Sequence, residues 1–271
     1  MQAFFLSHNG LGDNLFSIGA VRFLTTFYEK IYLLCKEIHV ENVKLFFIDE
    51  PKIKIIIFDS SNEYKHCNYI IKKNYANNDI FICGCHKNYL TSKITNKFLL
   101  NRIKNDQGYD LNYDTITDLT YSPIKGIYED INLDLSIFYD YFYLPQTDKS
   151  KELYDSVKNY RIILIQTSCS TNKKLNIDNL KKKYLNDDNA IMISTSENLY
   201  NKTENEIKHS ICEQFVFNKL IYYLDTIINC SEIYIIDSCF TGIVLPLKKT
   251  NKLKADVVRI IHRDLADNVY L

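Results

Sequence analysis

The sequence predicts an α/β protein built as two halves, each a parallel β-sheet covered by helices. Two observations carry this. Short apolar runs rich in Ile, Phe, Tyr and Val alternate with helix-patterned stretches along most of the chain, which is the signature of βαβ units. The alternation also stops over residues 100–150 and then starts again, so it divides the chain instead of extending one sheet.

The first half opens with a strand over 3–7, a polar turn holding Gly10 and Gly12, and a helix over 14–28. Strands at 31–34, 52–58 and 79–83 follow, separated by helices at 40–47 and 63–75. The stretch 100–150 is irregular and rich in Tyr, Asp and Asn, and it closes on Leu144-Pro145-Gln146-Thr147-Asp148. That segment reads as a linker or a domain edge, which sets the expected domains at 1–147 and 148–271. In the second half, strands are expected at 161–166, 190–194, 232–236 and 256–261, with helices at 176–184, 215–229 and 240–247. No repeat of solenoid period and no low-complexity tract is present.

Composition excludes several classes. The 271 residues carry 33 Lys+Arg against 33 Asp+Glu, which removes a broad electrostatic drive toward nucleic acid or anionic membrane. Hydrophobic residues at 46% argue against disorder. No run approaches the roughly 18 apolar residues of a membrane span. The opening Met1–His8 has no basic start and too short an apolar run for a signal peptide. A cytoplasmic protein is expected, in which the sequons at Asn201 and Asn229 stay unmodified. The eight Cys form no C-x-x-C pair. Cys83-Gly84-Cys85-His86 is the nearest to a metal pattern and lacks a second ligand pair, so free, largely buried thiols are the expectation.

With only seven Gly in the chain, the pair in His8-Asn9-Gly10-Leu11-Gly12-Asp13-Asn14 needs a reason. Two Gly after a first strand bring backbone N–H groups near a ligand at the positive end of a helix. Asp13 has two readings, a helix cap for the free N–H groups or a general base. The segment is not the dinucleotide fingerprint, because the third Gly of G-x-G-x-x-G falls at Leu15. It is not a phosphate loop of the G-K-[ST] type either. No cofactor is therefore expected.

Three further features lie in the second half. The strand over 161–166 runs into Thr167-Ser168-Cys169-Ser170-Thr171-Asn172-Lys173-Lys174. Hydroxyls followed by Lys suit a diphosphate, and they also suit a solvated loop. The strand over 190–194 leads to Ser196-Glu197, where a carboxylate can grip a ribose hydroxyl or simply face water. The strand over 232–236 ends in Asp237-Ser238 ahead of a helix, either at a ligand-binding sheet edge or as a cap.

Taken together, these segments resemble the heptosyltransferase-like group, family 9 of the GT-B glycosyltransferases. Gly12-Asp13-Asn14-Leu15 is similar to that family's opening G-D-x-L. Ser168, Cys169 and Lys173 resemble its second-domain phosphate turn, and the segment over 215–229 followed by Asp237-Ser238 resembles its closing motif. The resemblance implies two Rossmann-like domains whose parallel sheets face a central cleft. It also implies a nucleotide-sugar donor held by the second domain, a carbohydrate or glycoconjugate acceptor, and Asp13 as catalytic base without a metal. The implied donor-binding residues are Gly12, Ser168, Lys173, Glu197, Asp237 and Ser238. The sequence departs from the family at Cys239, where a Gly is expected, and at Gly242, where a His is expected. A second group, the alpha-1,2-fucosyltransferases, opens with a turn similar to Gly10-Leu11-Gly12-Asp13-Asn14-Leu15-Phe16, but its H-x-R-R-G-D motif is missing. A non-catalytic nucleotide-binding module is the reading from another class. No two Asp stand two positions apart, so the Asp-x-Asp pair that holds a divalent ion on a donor diphosphate is absent.

Overall fold

A computed structural model of the chain describes residues 1–7, 10–84, 92–97, 99, 123–171, 173–269 and 271. The chain divides into two compact units, with described residues up to Pro145 in the first and Gln146–Leu271 in the second. Each unit contains a four-stranded, all-parallel sheet.

The first sheet is formed by β1 (Gln2–Leu6), β2 (Lys30–Lys36), β3 (Ile53–Phe58) and β4 (Asp79–Ile82), in the order β3-β2-β1-β4. Helices α1 (Leu11–Phe16) and α2 (Ile18–Leu24) follow β1, α3 (Val40–Phe46) follows β2, and α4 (Glu63–Asn74) follows β3. Along α4, Cys67, Ile70 and Ile71 are buried, the i, i+3, i+4 spacing of one helix face. They pack on Phe4, Leu6, Leu34, Phe58, Ile80 and Ile82 of the sheet. Burying each such side chain contributes roughly 1.5–3 kcal/mol. Among the described residues, two further short helices, α5 (Pro123–Asp130) and α6 (Ser136–Asp140), lie within a stretch that reads as irregular in the sequence.

The second sheet is formed by β5 (Arg161–Gln166), β6 (Ala190–Ser194), β7 (Glu232–Ile236) and β8 (Val257–Ile261), in the order β6-β5-β7-β8. Its helices are α7 (Asp148–Val157), α8 (Asp178–Tyr184), α9 (Glu206–Glu213), α10 (Leu224–Asn229) and α11 (Thr241–Lys249). Every residue of β6 and β7 is buried, as expected of parallel strands covered on both faces. The predicted fold class holds: two α/β units on parallel sheets. The described strands lie within about two residues of the predicted ones.

Two predicted elements differ. The single helix expected over 14–28 starts at Leu11, breaks at Ser17 and ends at Leu24. The break has a cause 108 residues away. The Tyr128 hydroxyl donates to the Phe16 carbonyl at 3.2 Å and accepts the Ala20 N–H at 3.0 Å. It thereby stands where the Ala20-to-Phe16 helix bond would close, a side chain inserted into the i→i−4 ladder. Tyr128, which as a sequence feature suited either sugar stacking or packing, is fully buried and packs; Tyr109, Tyr113 and Tyr121 lie outside the described residues. The segment 144–148, read as a linker or a domain edge, contains the passage from one unit to the other after Pro145, and Asp148 begins α7, with the Thr147 hydroxyl accepting the Ser150 N–H at 3.0 Å. The helix expected over 215–229 does not form over its first residues: 214–217 are turn, Phe217 has a φ of 54°, and helix begins only as a 3₁₀ turn over Leu220–Tyr223 and then α10.

No described helix is long and apolar enough to cross a membrane. Of the described cysteines, Cys35, Cys67, Cys83, Cys212 and Cys230 are buried, Cys169 and Cys239 are partly so, and all are free thiols. Burial pushes the Cys35, Cys212 and Cys230 thiols up to about 12, so they stay neutral and behave as small apolar groups.

Candidate active site

In an open parallel sheet, ligands bind beyond the carboxyl ends of the strands, where the strand order reverses. Both sheets have such a point. In the first it lies between β1 and β4, and in the second between β5 and β7.

At the first point, the chain leaves β1 and enters α1 with Gly10 as N-cap. Asp13 lies inside the helix, at its third position, and is partly buried. Its Oδ2 accepts the Gly10 N–H at 2.8 Å, satisfying one of the donors a helix start leaves free. A Cβ at position 10 would come within 2.6 Å of that oxygen, so a larger residue there would push the carboxylate aside. Asn14 is buried and ties the turn from the other side, its Nδ2 donating to the Gly10 carbonyl at 2.9 Å. Gly12 is the second helical residue and is partly buried. Lys36, at the end of β2, pairs with Glu63 at 2.9 Å. Burial and the nearby Lys36 ammonium hold the His39 imidazole below its ordinary value, against an upward pull from Asp13. After β4, the Gly84 N–H donates to Asp130 Oδ2 at 2.7 Å. Carboxylates therefore stand at this sheet edge in Asp13 and Asp130, with His39 and Lys36 as the nearby basic groups.

The second point is more tightly wired, and its centre is a residue that the sequence reading passed over. Gln166 ends β5 and is buried. Its Nε2 donates to the Ser168 carbonyl at 2.9 Å, and its Oε1 accepts from the Ser238 hydroxyl at 2.5 Å. One amide thus joins the turn after β5 to the turn after β7. The available signal was a polar residue closing the run Arg-Ile-Ile-Leu-Ile-Gln, since a buried amide needs partners.

Asp237 is buried, accepts the Thr241 hydroxyl at 3.1 Å, and lies 3.9 Å from the Arg263 guanidinium. The Ser238 N–H donates to Thr241 Oγ1 at 3.2 Å, and the Phe240 N–H to Ser238 Oγ at 3.3 Å. Together these bonds fix the entry into α11. On the β5 side, the Ser168 and Lys174 backbones pair as an isolated bridge, which folds the hydroxyl-rich turn back on itself. Cys169 Sγ lies 3.1 Å from the Thr171 hydroxyl and 3.9 Å from the Lys173 carbonyl. Lys173 is partly buried, while Lys174 is exposed. Beyond β6, the Ser196 hydroxyl bonds Thr167 Oγ1 at 3.1 Å, and the next residue, Glu197, is exposed.

The predicted set therefore separates by unit. Ser168 and Ser238 meet through Gln166, and Asp237 precedes Ser238 with its own bonds to Thr241 and Arg263. Lys173 shares the turn of Ser168, and Glu197 adjoins the Ser196–Thr167 contact. Gly12 and Asp13 belong to the other unit. Among the described residues no three potential metal ligands converge; Cys85 and His86 lie outside them. An edge with hydroxyls, a cation and a helix start can hold a diphosphate. A carboxylate beside a glycine turn can take a proton.

No protein-family model and no curated protein matches this sequence. Solved structures do match in fold. A family 9 glycosyl transferase from Veillonella parvula superposes with a TM-score of 0.55 at 13% identity, over 95% of this chain and 79% of that one. The ADP-heptose LPS heptosyltransferase II of E. coli gives 0.52 at 12% identity, over 100% of this chain and 95% of that one. The chain thus has the α/β fold of the heptosyltransferase-like, family 9 GT-B glycosyltransferases.

Proposed function

We propose that this chain is a glycosyltransferase that moves a sugar from a nucleotide-sugar donor to an acceptor hydroxyl, with inversion and without a metal. The observation that carries the reading is the Gln166-centred joining of Ser168 and Ser238 at the switch point of the second sheet. Glycosyltransferase fold neighbours support the same class of reaction.

In this reading Asp13 removes the acceptor proton as the hydroxyl oxygen attacks the anomeric carbon. The carbon–oxygen bond to the diphosphate breaks, and the nucleoside diphosphate leaves from the opposite face. Lys173, the Ser168 hydroxyl and the helix start after Ser238 hold the leaving group, supplying charge stabilisation that preorganised donors provide. Glu197 accepts from the ribose. Gly12 lets the helix start approach closely. The acceptor is a carbohydrate or glycoconjugate. Asp13 can serve two tasks, because one N–H bond leaves most of a carboxylate's acceptor capacity unused.

Two observations favour a second reading, a module that binds nucleotide without turnover. The Gly10 N–H already gives the Asp13 carboxylate a structural duty, and Gly242 stands where the resembled motif has His. Wild-type release of nucleoside diphosphate from a nucleotide sugar separates the two, and Asp13→Asn then tests the base. The variant's amide oxygen still accepts the Gly10 N–H, so the melting temperature stays near wild type. Turnover falls by about 10² or more, because the base is gone. Undiminished transfer by this variant would contradict the assigned role.

A further inference from the structure

Phe217 is 81% exposed and has a φ of 54°. A bulky side chain at positive φ is an outlier that persists only where its surroundings over-determine it. Here they do. The Phe217 N–H donates to the Thr195 carbonyl at 3.0 Å. On the flanks, the Tyr223 hydroxyl accepts the Asn218 N–H at 3.2 Å and donates to the Phe215 carbonyl. Tyr223 is 1% exposed, and burial pushes its phenol up to about 12, so the donor is kept. Gly or Asn would take this backbone with less strain. The chain instead places an aromatic ring there and turns it to solvent, where it contributes little to the core.

Its position gives the ring a use. Thr195 follows β6 at the carboxyl end of the sheet, beside Ser196, which bonds Thr167, and beside Glu197. Phe217 is therefore hydrogen-bonded to the sheet edge that carries the donor-site residues. The part of a nucleoside diphosphate that offers a flat π face to such a ring is its base. We propose that Phe217 is the stacking platform for the donor nucleobase. This rests on the donor-site reading above and adds to it where the base is held. Stacking uses the face of the base and not its edge, so the contribution is shared by all bases.

The test is calorimetric titration of ADP, GDP, UDP, CDP and inorganic pyrophosphate into wild type, Phe217→Ala and Phe217→Tyr. Truncation should weaken each nucleotide that binds by about 5- to 150-fold and leave pyrophosphate unchanged. Phe217→Tyr should keep the wild-type affinity. Because the ring is exposed, Phe217→Ala should melt with wild type. Phe217→Trp gives a second readout, since the chain contains no Trp: its fluorescence should be quenched by nucleotide and not by pyrophosphate. Equal nucleotide binding by Phe217→Ala overturns the proposal, as does a loss that includes pyrophosphate. Wild type that binds pyrophosphate but no nucleotide overturns it too, while sparing the anion site. Wild type that binds neither overturns the donor-site reading itself.

Discussion

Gln166 and Glu232 show how single buried polar groups organise the second unit, one at each end of its sheet. Gln166 orients the Ser238 hydroxyl and the Ser168 carbonyl at the carboxyl end. Gln166→Leu preserves much of the volume and removes both bonds, leaving their partners unmatched at a cost of about 1–3 kcal/mol. The expected result in a thermal-shift assay is a lower melting point and a smaller rise with nucleoside diphosphate. An unchanged rise would mean that the turns do not depend on this amide. Glu232 stands at the amino end, 2% exposed, and accepts from Tyr184 at 2.5 Å, Tyr234 at 2.6 Å and Arg161 at 2.5 Å. Burial pushes its carboxyl upward, but the Tyr184, Tyr234 and Arg161 donors together outweigh it and hold it below the usual value. A lowered folded value gives stability that is full above the unfolded value of about 4.3 and fades as pH falls through the folded one. Acid titration of the melting temperature should show this loss, and Glu232→Gln should lower stability at neutral pH while flattening the acid limb. An unchanged acid limb in Glu232→Gln would remove Glu232 as its source.

Elements in this chain were legible where their cause is local and obscure where it is distant. The strands could be placed because runs such as Ile162-Ile163-Leu164-Ile165 carry their own signal. The α1–α2 break could not, since its cause is the hydroxyl of Tyr128 on α5. Gly19 makes room for that contact: a Cβ there would meet the Ile137 carbonyl and the Tyr128 hydroxyl at 2.6 and 2.8 Å. Gly19→Ala should therefore destabilise although it raises helix propensity. Tyr128→Phe should cost about 1–3 kcal/mol by leaving the Phe16 carbonyl and Ala20 N–H unmatched. Denaturant midpoints measure both, and wild-type midpoints would show that the break needs no hydroxyl. α7 and α9 had readable starts that were passed over. Thr147 and Asn205 each accept a backbone N–H three residues on, the spacing of side-chain N-caps. The turn at Phe217 carries no sequence signal, because nothing in Phe itself favours positive φ.

For the whole molecule, the candidate-site residues were identifiable one by one as polar endings of apolar strands, but their wiring was not. A sequence can place Ser168 after β5 and Ser238 after β7. Only the β6-β5-β7-β8 order makes those two turns neighbours. In the proposed metal-free sugar transfer, Lys173, hydroxyls and a helix start would meet the diphosphate charge. Lys173→Ala should accordingly weaken donor binding and transfer together, measured by titration and by turnover; wild-type values for both would exclude Lys173 from the donor site. The most direct measurement of the claim is nucleoside diphosphate release from a panel of nucleotide sugars, offered with carbohydrate acceptors in excess EDTA. The predicted result is release from at least one donor, at a rate that EDTA leaves unchanged. No release from any donor, or release lost in EDTA and restored by manganese or magnesium, would contradict it.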